Sequence, residues 1–251
     1  MRIVVLCSSG LDGFQQKVLG PILEDHSFEI VGALIDARPK PSFKKRFLKN
    51  LKRGRGGYML VMFLRSGRRR HKKGGSSMAS KNYYNKIGVP YLETREPYSE
   101  ETVMEIKAWQ PDVMVMLGGF GIVKEPLLSL APQGILSYHH GNMRKYRGQP
   151  VGFWELYNGE SEMGVTVQRL AAGIDKGTPI VEKVIPIEKD DDVNSLCRRA
   201  MTCSTDMMCE ALRCLGDAAF VPDQIQQYGP VYTLPNLRQY LRLQFKLLFR
   251  R

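Results

Sequence analysis

Glycines and polar residues cluster where three apolar runs end, at residues 118–121, 137–148 and 173–177. His139 and His140 stand in the second cluster, and Asp175 stands in the third. An imidazole beside a carboxylate can give or take a proton near neutral pH, because the carboxylate orients the ring and favours its charged form. The pattern therefore indicates general acid–base chemistry, although a histidine pair after a strand is equally compatible with a structural role.

The apolar runs predict the strands that must bring these clusters together. Residues 2–7 (RIVVLC) read as a strand buried on both faces, and residues 28–36 read as a second one. A small-residue turn and a helical pattern separate the two, which predicts a right-handed βαβ unit. Ligands of such doubly wound sheets bind beyond the carboxyl ends of the strands. Further strands are predicted at 89–94, 111–119, 134–140, 164–170 and 179–187.

Helices are predicted between and after these strands. Ser42 is placed to cap one helix, Ser99 begins another, and Gly88 ends a third. The longest helical pattern covers 191–215, with Asp190 or Asp191 as its cap. The other helices are predicted from Lys124, over 150–159, and as a basic amphipathic tail over 236–251. We therefore expect a catalytic domain over 1–190, with a basic insertion at 38–80, followed by a helical extension over 191–251.

Length and composition bound the class of protein. The chain has 251 residues, of which 43% are hydrophobic and 25% charged. These values exclude a collagen-like, mucin-like or wholly disordered chain. The apolar runs are shorter than the roughly 20 residues that cross a bilayer, and the run near the N-terminus is too short for a secretory signal. The sequence therefore predicts a cytoplasmic protein.

Charge is distributed unevenly along the chain. The net charge is +12, yet residues 37–92 hold 17 Lys or Arg and no Asp or Glu. The remainder holds 37 − 17 = 20 basic residues against 25 acidic ones. A mildly acidic domain thus carries one strongly basic segment.

Cysteine spacing gives no metal site. Cys197, Cys203, Cys209 and Cys214 are separated by 6, 6 and 5 residues, which matches no zinc pattern, and no histidine is near them. We expect reduced thiols packed on or around one helix, and no metal.

The region over 136–180 resembles the 10-formyltetrahydrofolate-dependent formyltransferases, which act on glycinamide ribonucleotide, methionyl-tRNA or amino sugars. The resemblance is strong over about 111–187, fair over the first strand and 28–36, and absent over 38–80 and after about 190. The matching motifs are His139, Tyr146-Arg147-Gly148, Asn158-Gly159, Gly164-Val165-Thr166 and Gly173-Ile174-Asp175-Lys176-Gly177.

This resemblance implies a Rossmann-like fold and transfer of a formyl group from 10-formyltetrahydrofolate to a primary amine. It implies that His139 stabilises the tetrahedral oxyanion, and that Asp175 tunes this histidine and moves protons. The folate would lie against two glycine-rich segments, formed by Leu117, Gly118, Gly119, Phe120, Gly121, Ile122, Gly173 and Ile174.

One motif position departs from the family. Ser137 stands where the family has an asparagine that donates to the oxyanion, and a serine hydroxyl has a shorter reach. His140 or Asn142 could compensate for the difference. The acceptor is expected to contact the turn after the first strand or the loop after His140, through Ser8, Ser9, Gly10, Arg144 and Arg147.

The basic segment leaves the acceptor and the partners open. A nucleotide-linked or lipid-linked amino sugar is the first expectation, because the chain ends near where the second domain of the tRNA enzymes should begin. Residues 38–73 could instead meet tRNA or an anionic membrane, which would place the protein at the inner membrane surface. A homodimer, and a non-catalytic protein of the same fold that binds anions or nucleic acid, are the remaining alternatives.

Overall fold

A computed structural model describes residues 1–70, 77–118 and 120–250, and for residues 66–70 it describes the backbone alone. Within these residues, a seven-stranded sheet has the order β10-β9-β7-β6-β1-β3-β5. Its strands are β1 (Arg2–Ser8), β3 (Glu29–Asp36), β5 (Tyr91–Thr94), β6 (Val113–Met116), β7 (Ile135–His139), β9 (Glu162–Arg169) and β10 (Thr178–Pro186). Two short pairs join β2 (Gly10–Leu11) to β4 (Met78–Ala79) and β8 (Arg147–Gly148) to β11 (Val231–Tyr232).

The predicted doubly wound, mostly parallel sheet is confirmed. β1 lies at the centre and pairs in parallel with β3 and β6, while β9 and β10 run antiparallel at one edge. Alternate residues of β1 face opposite sides, so Ile3 and Val5 pack into one core and Val4 and Leu6 into another. A strand buried on both faces is apolar along its buried length, and the continuous apolar run over 3–7 predicts such a strand.

Helices cover both faces of the sheet. Asp12 caps α1 with a reciprocal bond from Gln15, and Ser42 and Ser99 cap α2 and α5 as predicted. Gly88 ends α4 in the left-handed conformation, with φ of 71°. The bounds are α1 (Gly13–Glu24), α2 (Phe43–Leu51), α3 (Gly56–Arg70), α4 (Ser80–Ile87), α5 (Glu100–Ala108), α6 (Phe153–Asn158), α7 (Val193–Thr202), α8 (Met207–Gly216) and α9 (Leu237–Arg250).

Two helix predictions were wrong. The segment after Lys124 forms only one 3-10 turn, at Leu127–Ser129. The long helix over 191–215 is two helices, α7 and α8, and its cap is Asp192. The break has a physical cause, because the Tyr138 hydroxyl donates to the Ser204 carbonyl at 2.6 Å and accepts from the Met208 N–H at 3.1 Å.

The four clustered cysteines consequently lie on and beside two helices rather than one, and all are free thiols. In the described part of the chain, no group of three or more His, Cys, Asp or Glu side chains is arranged to hold a metal ion.

The C-terminal segment packs on the same core as the strands. Leu196, Ala200 and Leu212 are fully buried in the core that also contains Ile3 and Val5. On the same side, Tyr58 of α3 contacts Tyr240 of α9, with ring centroids 5.7 Å apart. Across 1–70, 77–118 and 120–250, none of the helices has the length and apolar character needed to span a membrane.

Candidate active site

A cleft of about 670 Å³ opens at the carboxyl ends of β6 and β7. The three clusters singled out in the sequence all contribute to its lining: Gly118 and Gly121 from the first, the strand end and loop from the second, and Ile174 and Asp175 from the third. The size suits a small organic ligand. Basic residues of α2 and the segment after it line the mouth of the cleft.

His139 and Asp175 meet in this cleft. His139 ends β7 and is buried, and its Nδ1 lies 3.4 Å from Oδ2 of Asp175. Its Nε2 lies 2.8 Å from the carbonyl oxygen of Tyr146, which can only accept, so Nε2 carries the hydrogen. Gly141 makes room for the ring, because a Cβ there would stand 2.6 Å from Nε2. The bond from Nε2 to Tyr146 therefore fixes the ring, and Nδ1 faces the carboxylate of Asp175, to which it donates only when the imidazole carries both hydrogens.

The carboxylate of Asp175 is also held from several sides. Its Oδ2 accepts from the N–H of Gly148 at 2.8 Å, and its Oδ1 accepts from the side-chain amide of Gln168 at 3.3 Å. The guanidinium of Arg147 donates to the carbonyl of Ile174 at 3.1 Å. Two motifs far apart in sequence, 146–148 and 173–177, are thus in direct contact.

Gly148 has a backbone reason to be glycine. Its φ is +92°, and a Cβ would lie 2.1 Å from the carbonyl oxygen of Tyr232. Any larger residue would push β8 from β11 and would move the N–H that Asp175 accepts from.

His140 presents the one ring nitrogen among the described residues that is buried without a hydrogen-bond partner. Its ring stacks on Tyr138 at 5.5 Å and meets the edge of Phe14 at 5.6 Å, and it lines the cleft. Its Nε2 has no partner. The pKa of His140 is lowered to about 4, chiefly by burial and in smaller part by the neighbouring His139. The imidazole is therefore neutral at pH 7, and its buried Nε2 makes no hydrogen bond within the protein.

Ser137 lies in the same wall. It is two residues before His139 on β7, so both side chains point to one face of the sheet. It is buried, and its hydroxyl makes only a long contact of 3.5 Å to the carbonyl of Tyr138. The hydroxyl is thus available where the family has its asparagine amide.

Glu155 was missed by the sequence analysis. It lies in the first turn of α6, is 3% exposed, and lines a small cavity beneath the cleft together with His139 and His140. Its pKa is raised to about 7, chiefly by burial and in smaller part by the nearby Glu160. An acidic residue in a first helical turn suits the helix dipole, so no local pattern indicates that this carboxyl is buried.

A side recess of about 160 Å³ opens from the cleft between the loop after β6 and the loop after β9. Its walls are largely apolar, and of the residues predicted to hold folate, four line it: Gly121, Ile122, Gly173 and Ile174.

The other predicted folate residues have different surroundings. Gly118 lines the cleft outside the recess. Leu117 and Phe120 are buried behind it, with carbonyl oxygens that accept from Gln15 and Arg38. Gly119 lies outside the described residues.

The predicted acceptor residues are not gathered in the cleft. Among the described residues, four of the predicted ones do not line the cleft: Ser8, Ser9, Gly10 and Arg144. Arg144 instead forms ion pairs with Glu182 and Asp223. The turn after β1 is occupied by the pairing of β2 with β4, and Arg147 supports the loop that carries Asp175.

Four basic residues from the insertion contribute to the lining of the cleft. Arg46, Lys49, Arg53 and Arg55 line the cleft. These four side chains form no ion pair with any other described residue. The sequence indicated a basic insertion, but nothing local in it placed α2 over the site.

A doubly wound sheet whose strand-end cleft holds a paired histidine and aspartate is an arrangement able to carry out acid–base chemistry. The chain belongs to the formyl transferase family, whose model matches residues 61–212 and thus more than half of the chain. Methionyl-tRNA formyltransferase from Trichlorobacter lovleyi is 32% identical over 136 residues, which are 54% of this chain and 43% of that protein. The chain therefore spans less than half the length of that relative.

Solved structures agree on the fold. Glycinamide ribonucleotide transformylase 1 from Symbiobacterium toebii superposes with a TM-score of 0.61 at 19% identity, over 92% of this chain and 94% of that one. The N-formyltransferase from Helicobacter canadensis, solved with folinic acid and dTDP-3-aminofucose, gives a TM-score of 0.60 at 14% identity, over 98% and 80%. The family resemblance seen in the sequence is confirmed.

Proposed function

We propose that this protein transfers a formyl group from 10-formyltetrahydrofolate to a primary amine. The observation that carries the proposal is the His139–Asp175 pair in a cleft where the buried Nε2 of His140 has no partner. A buried polar atom without a partner is costly, and a ligand oxygen would satisfy it. Family membership supports the same reaction.

The reaction moves one proton from the amine to the folate. The amine nitrogen bonds to the formyl carbon, and the carbonyl oxygen takes the negative charge. The bond from that carbon to N10 then breaks, and N10 gains the proton that the amine loses. The site must therefore stabilise an oxyanion and carry a proton between two nitrogens.

The geometry suggests a division of these tasks. The resemblance assigns the oxyanion to His139, but its Nε2 already donates to Tyr146. The remaining donors are the hydroxyl of Ser137 and, in the tautomer that places its hydrogen on Nε2, the neutral ring of His140. Each can contribute on the order of 3 kcal/mol to stabilising the oxyanion. His139 and Asp175 then form the group that moves the proton. Asp175 is 23% exposed at the cleft, so a substrate amine can reach it.

The recess is the proposed pterin site. Its apolar walls suit a flat heterocycle, and the polar side chains of Ser137 and Gln168 also line it. The complex of the Helicobacter canadensis relative with folinic acid supports a folate in this fold. The chemistry that the folate supplies is the activated formyl group itself.

The acceptor is proposed to carry phosphate. Arg46, Lys49, Arg53 and Arg55 give the mouth of the cleft four positive charges. A nucleotide-linked amino sugar matches them, and the Helicobacter canadensis relative was solved with dTDP-3-aminofucose. Methionyl-tRNA is the second candidate, because the curated relatives act on it by name. Supplying each acceptor with labelled 10-formyltetrahydrofolate and measuring label on the amine distinguishes the two.

The Asp175→Asn variant tests the reaction. The amide can still accept from Gly148 but cannot take a proton, so we expect formyl transfer to slow by about 100-fold or more while folate affinity changes little. Asp223→Asn, which breaks a surface ion pair outside the cleft, is the matched control. Full activity of Asp175→Asn, or no folate binding by the intact protein, would refute the proposed function.

A further inference from the structure

We propose that the outer face of α2, α3 and α9 docks on the surface of an anionic lipid bilayer. These helices form one contiguous unit, because α3 packs on both α2 and α9. Phe43 of α2 meets Phe63 of α3 with ring centroids 4.5 Å apart, and Gly57 of α3 lies against Leu237 of α9. We call the exposed side of this unit the helical face.

Large apolar side chains stand out from the helical face. On α9, Leu241, Phe245, Leu248 and Phe249 are 55%, 62%, 71% and 73% exposed. Their spacing puts them on one side of the helix, opposite the buried Tyr240 and Leu243. Apolar side chains on α2 and α3, such as Leu48 and Leu64, are also exposed. So much exposed apolar area on neighbouring elements marks an interaction surface.

The charge of the surrounding sequence selects the partner. No Asp or Glu occurs in 37–92 or in 224–251, the two segments that build the helical face. Lys44, Lys45 and Lys52 of the α2 region and Arg238 and Arg242 of α9 are exposed around the apolar residues. A second copy of the chain would bring two such basic faces together, which like-charge repulsion opposes.

The arrangement of the exposed residues on α9 also favours lipid. The apolar residues form one stripe along the exposed side of the helix. An apolar stripe with basic flanks matches a helix lying in the headgroup region, with its apolar side among the acyl chains and its cations near anionic headgroups.

Docking in this way would orient the cleft. One side of α2 carries the apolar residues Phe43, Phe47 and Leu51. The other side carries Arg46 and Lys49, which line the cleft. The mouth of the cleft would then lie beside the headgroups. In combination with the proposed function, the acceptor would be an amine carried at the membrane surface, but the docking itself does not depend on catalysis.

Co-sedimentation of the full chain with vesicles, without folate or acceptor, tests the proposal. We expect binding to vesicles of phosphatidylglycerol and phosphatidylcholine in equal parts, and at least ~10-fold weaker binding to pure phosphatidylcholine. Raising the salt concentration should weaken the binding but not abolish it, because apolar insertion is not screened.

Two pairs of substitutions separate the contributions. Phe245→Ser with Phe249→Ser should weaken binding by at least ~10-fold through lost insertion, and Lys45→Glu with Lys52→Glu should weaken it through lost attraction. All four side chains are exposed, so the fold should be retained. Val221→Ser, at a position that is 84% exposed and outside these helices, is the control and should change nothing.

Three outcomes would overturn the proposal. The first is no binding to anionic vesicles at low salt. The second is binding that the phenylalanine substitutions leave unchanged, which would make it a purely electrostatic adsorption. The third is a dimer in solution that these substitutions dissociate, which would make a second copy the occupant. Vesicle binding without formyl transfer would instead refute only the proposed function.

Discussion

His140 and Glu155 show how burial tunes two neighbours in opposite directions. Both line the small cavity beneath the cleft, and burial disfavours the charged form of each. The pKa of His140 is therefore lowered to about 4, and that of Glu155 is raised to about 7. The histidine therefore stays neutral at physiological pH, whereas the carboxyl beside it changes its charge within the physiological pH range.

Glu155 should make stability depend on pH. Its pKa rises from 4.5 to about 7 on folding, so between these values the folded state holds a proton that the unfolded state has lost. Stability conferred by the neutral carboxyl is complete below pH 4.5 and declines as pH rises, by on the order of 3 kcal/mol once pH exceeds 7. Glu155→Gln removes this titration.

Urea unfolding of both proteins from about pH 4 to about pH 8 measures the effect. The difference between variant and parent isolates Glu155, because His140 contributes a change of opposite sign in both. Relative to the parent, Glu155→Gln should gain stability as pH rises. Glu24→Gln, at an exposed helix end, is the control. Parallel pH profiles for parent and Glu155→Gln would show that this carboxyl is not buried as described.

At the scale of elements, the recess depends on two loops that leave neighbouring strands. One follows β6 and the other follows β9, and both approach Ser137 on β7, which lies between those strands. The antiparallel direction of β9 brings its carboxyl end to the opposite edge from that of β7, yet the loop from β9 to β10 returns Asp175 to the site. Its φ of +44° is part of that reversal.

Filling the recess should block the folate and leave the fold intact. Ala171 lines the recess and is exposed, so Ala171→Trp adds bulk where no core packing is disturbed. We expect the dissociation constant for a reduced folate, measured by calorimetry, to rise at least ~10-fold, about 1.4 kcal/mol. Ala172→Trp, one residue on and outside the recess lining, should bind folate normally. Equal affinities for the two variants would place the pterin elsewhere.

At the scale of the whole molecule, the two ends of the chain share one core. β1 contributes Ile3 and Val5, and the helices after residue 190 contribute Leu196, Met208 and Leu212, which are fully buried against them. Removing those helices would expose that core to water, at about 25 cal/mol for each Å² of apolar surface.

The full chain should therefore unfold in a single cooperative transition. A chain truncated after Asp190 should lack that transition. It should also bind a fluorescent dye that recognises exposed apolar surface. Differential scanning calorimetry measures the unfolding transition, and dye fluorescence measures the exposed apolar surface. A truncated chain that melts cooperatively would instead establish 1–190 as an independent domain, as the sequence analysis predicted.

The sequence was sufficient where the determinants are local. Continuous β-branched runs such as RIVVLC, caps at Ser42 and Ser99, and the left-handed glycine at Gly88 each follow from a few adjacent residues. The motifs around His139 and Asp175 also predicted the family and the two central residues of the cleft. The long helix over 191–215 failed because its interruption depends on Tyr138, a distant residue that no local pattern reveals.

By itself, then, the sequence determined the layers of the fold, the family and the chemical types of the site. Only the tertiary structure decided that Arg144 is held in ion pairs, that α2 lines the cleft, that Glu155 is buried and that Nε2 of His140 lacks a partner. The physical reason is that helix caps and strand patterns are set by neighbours along the chain. Burial and hydrogen-bond partners are set by residues that become neighbours only on folding.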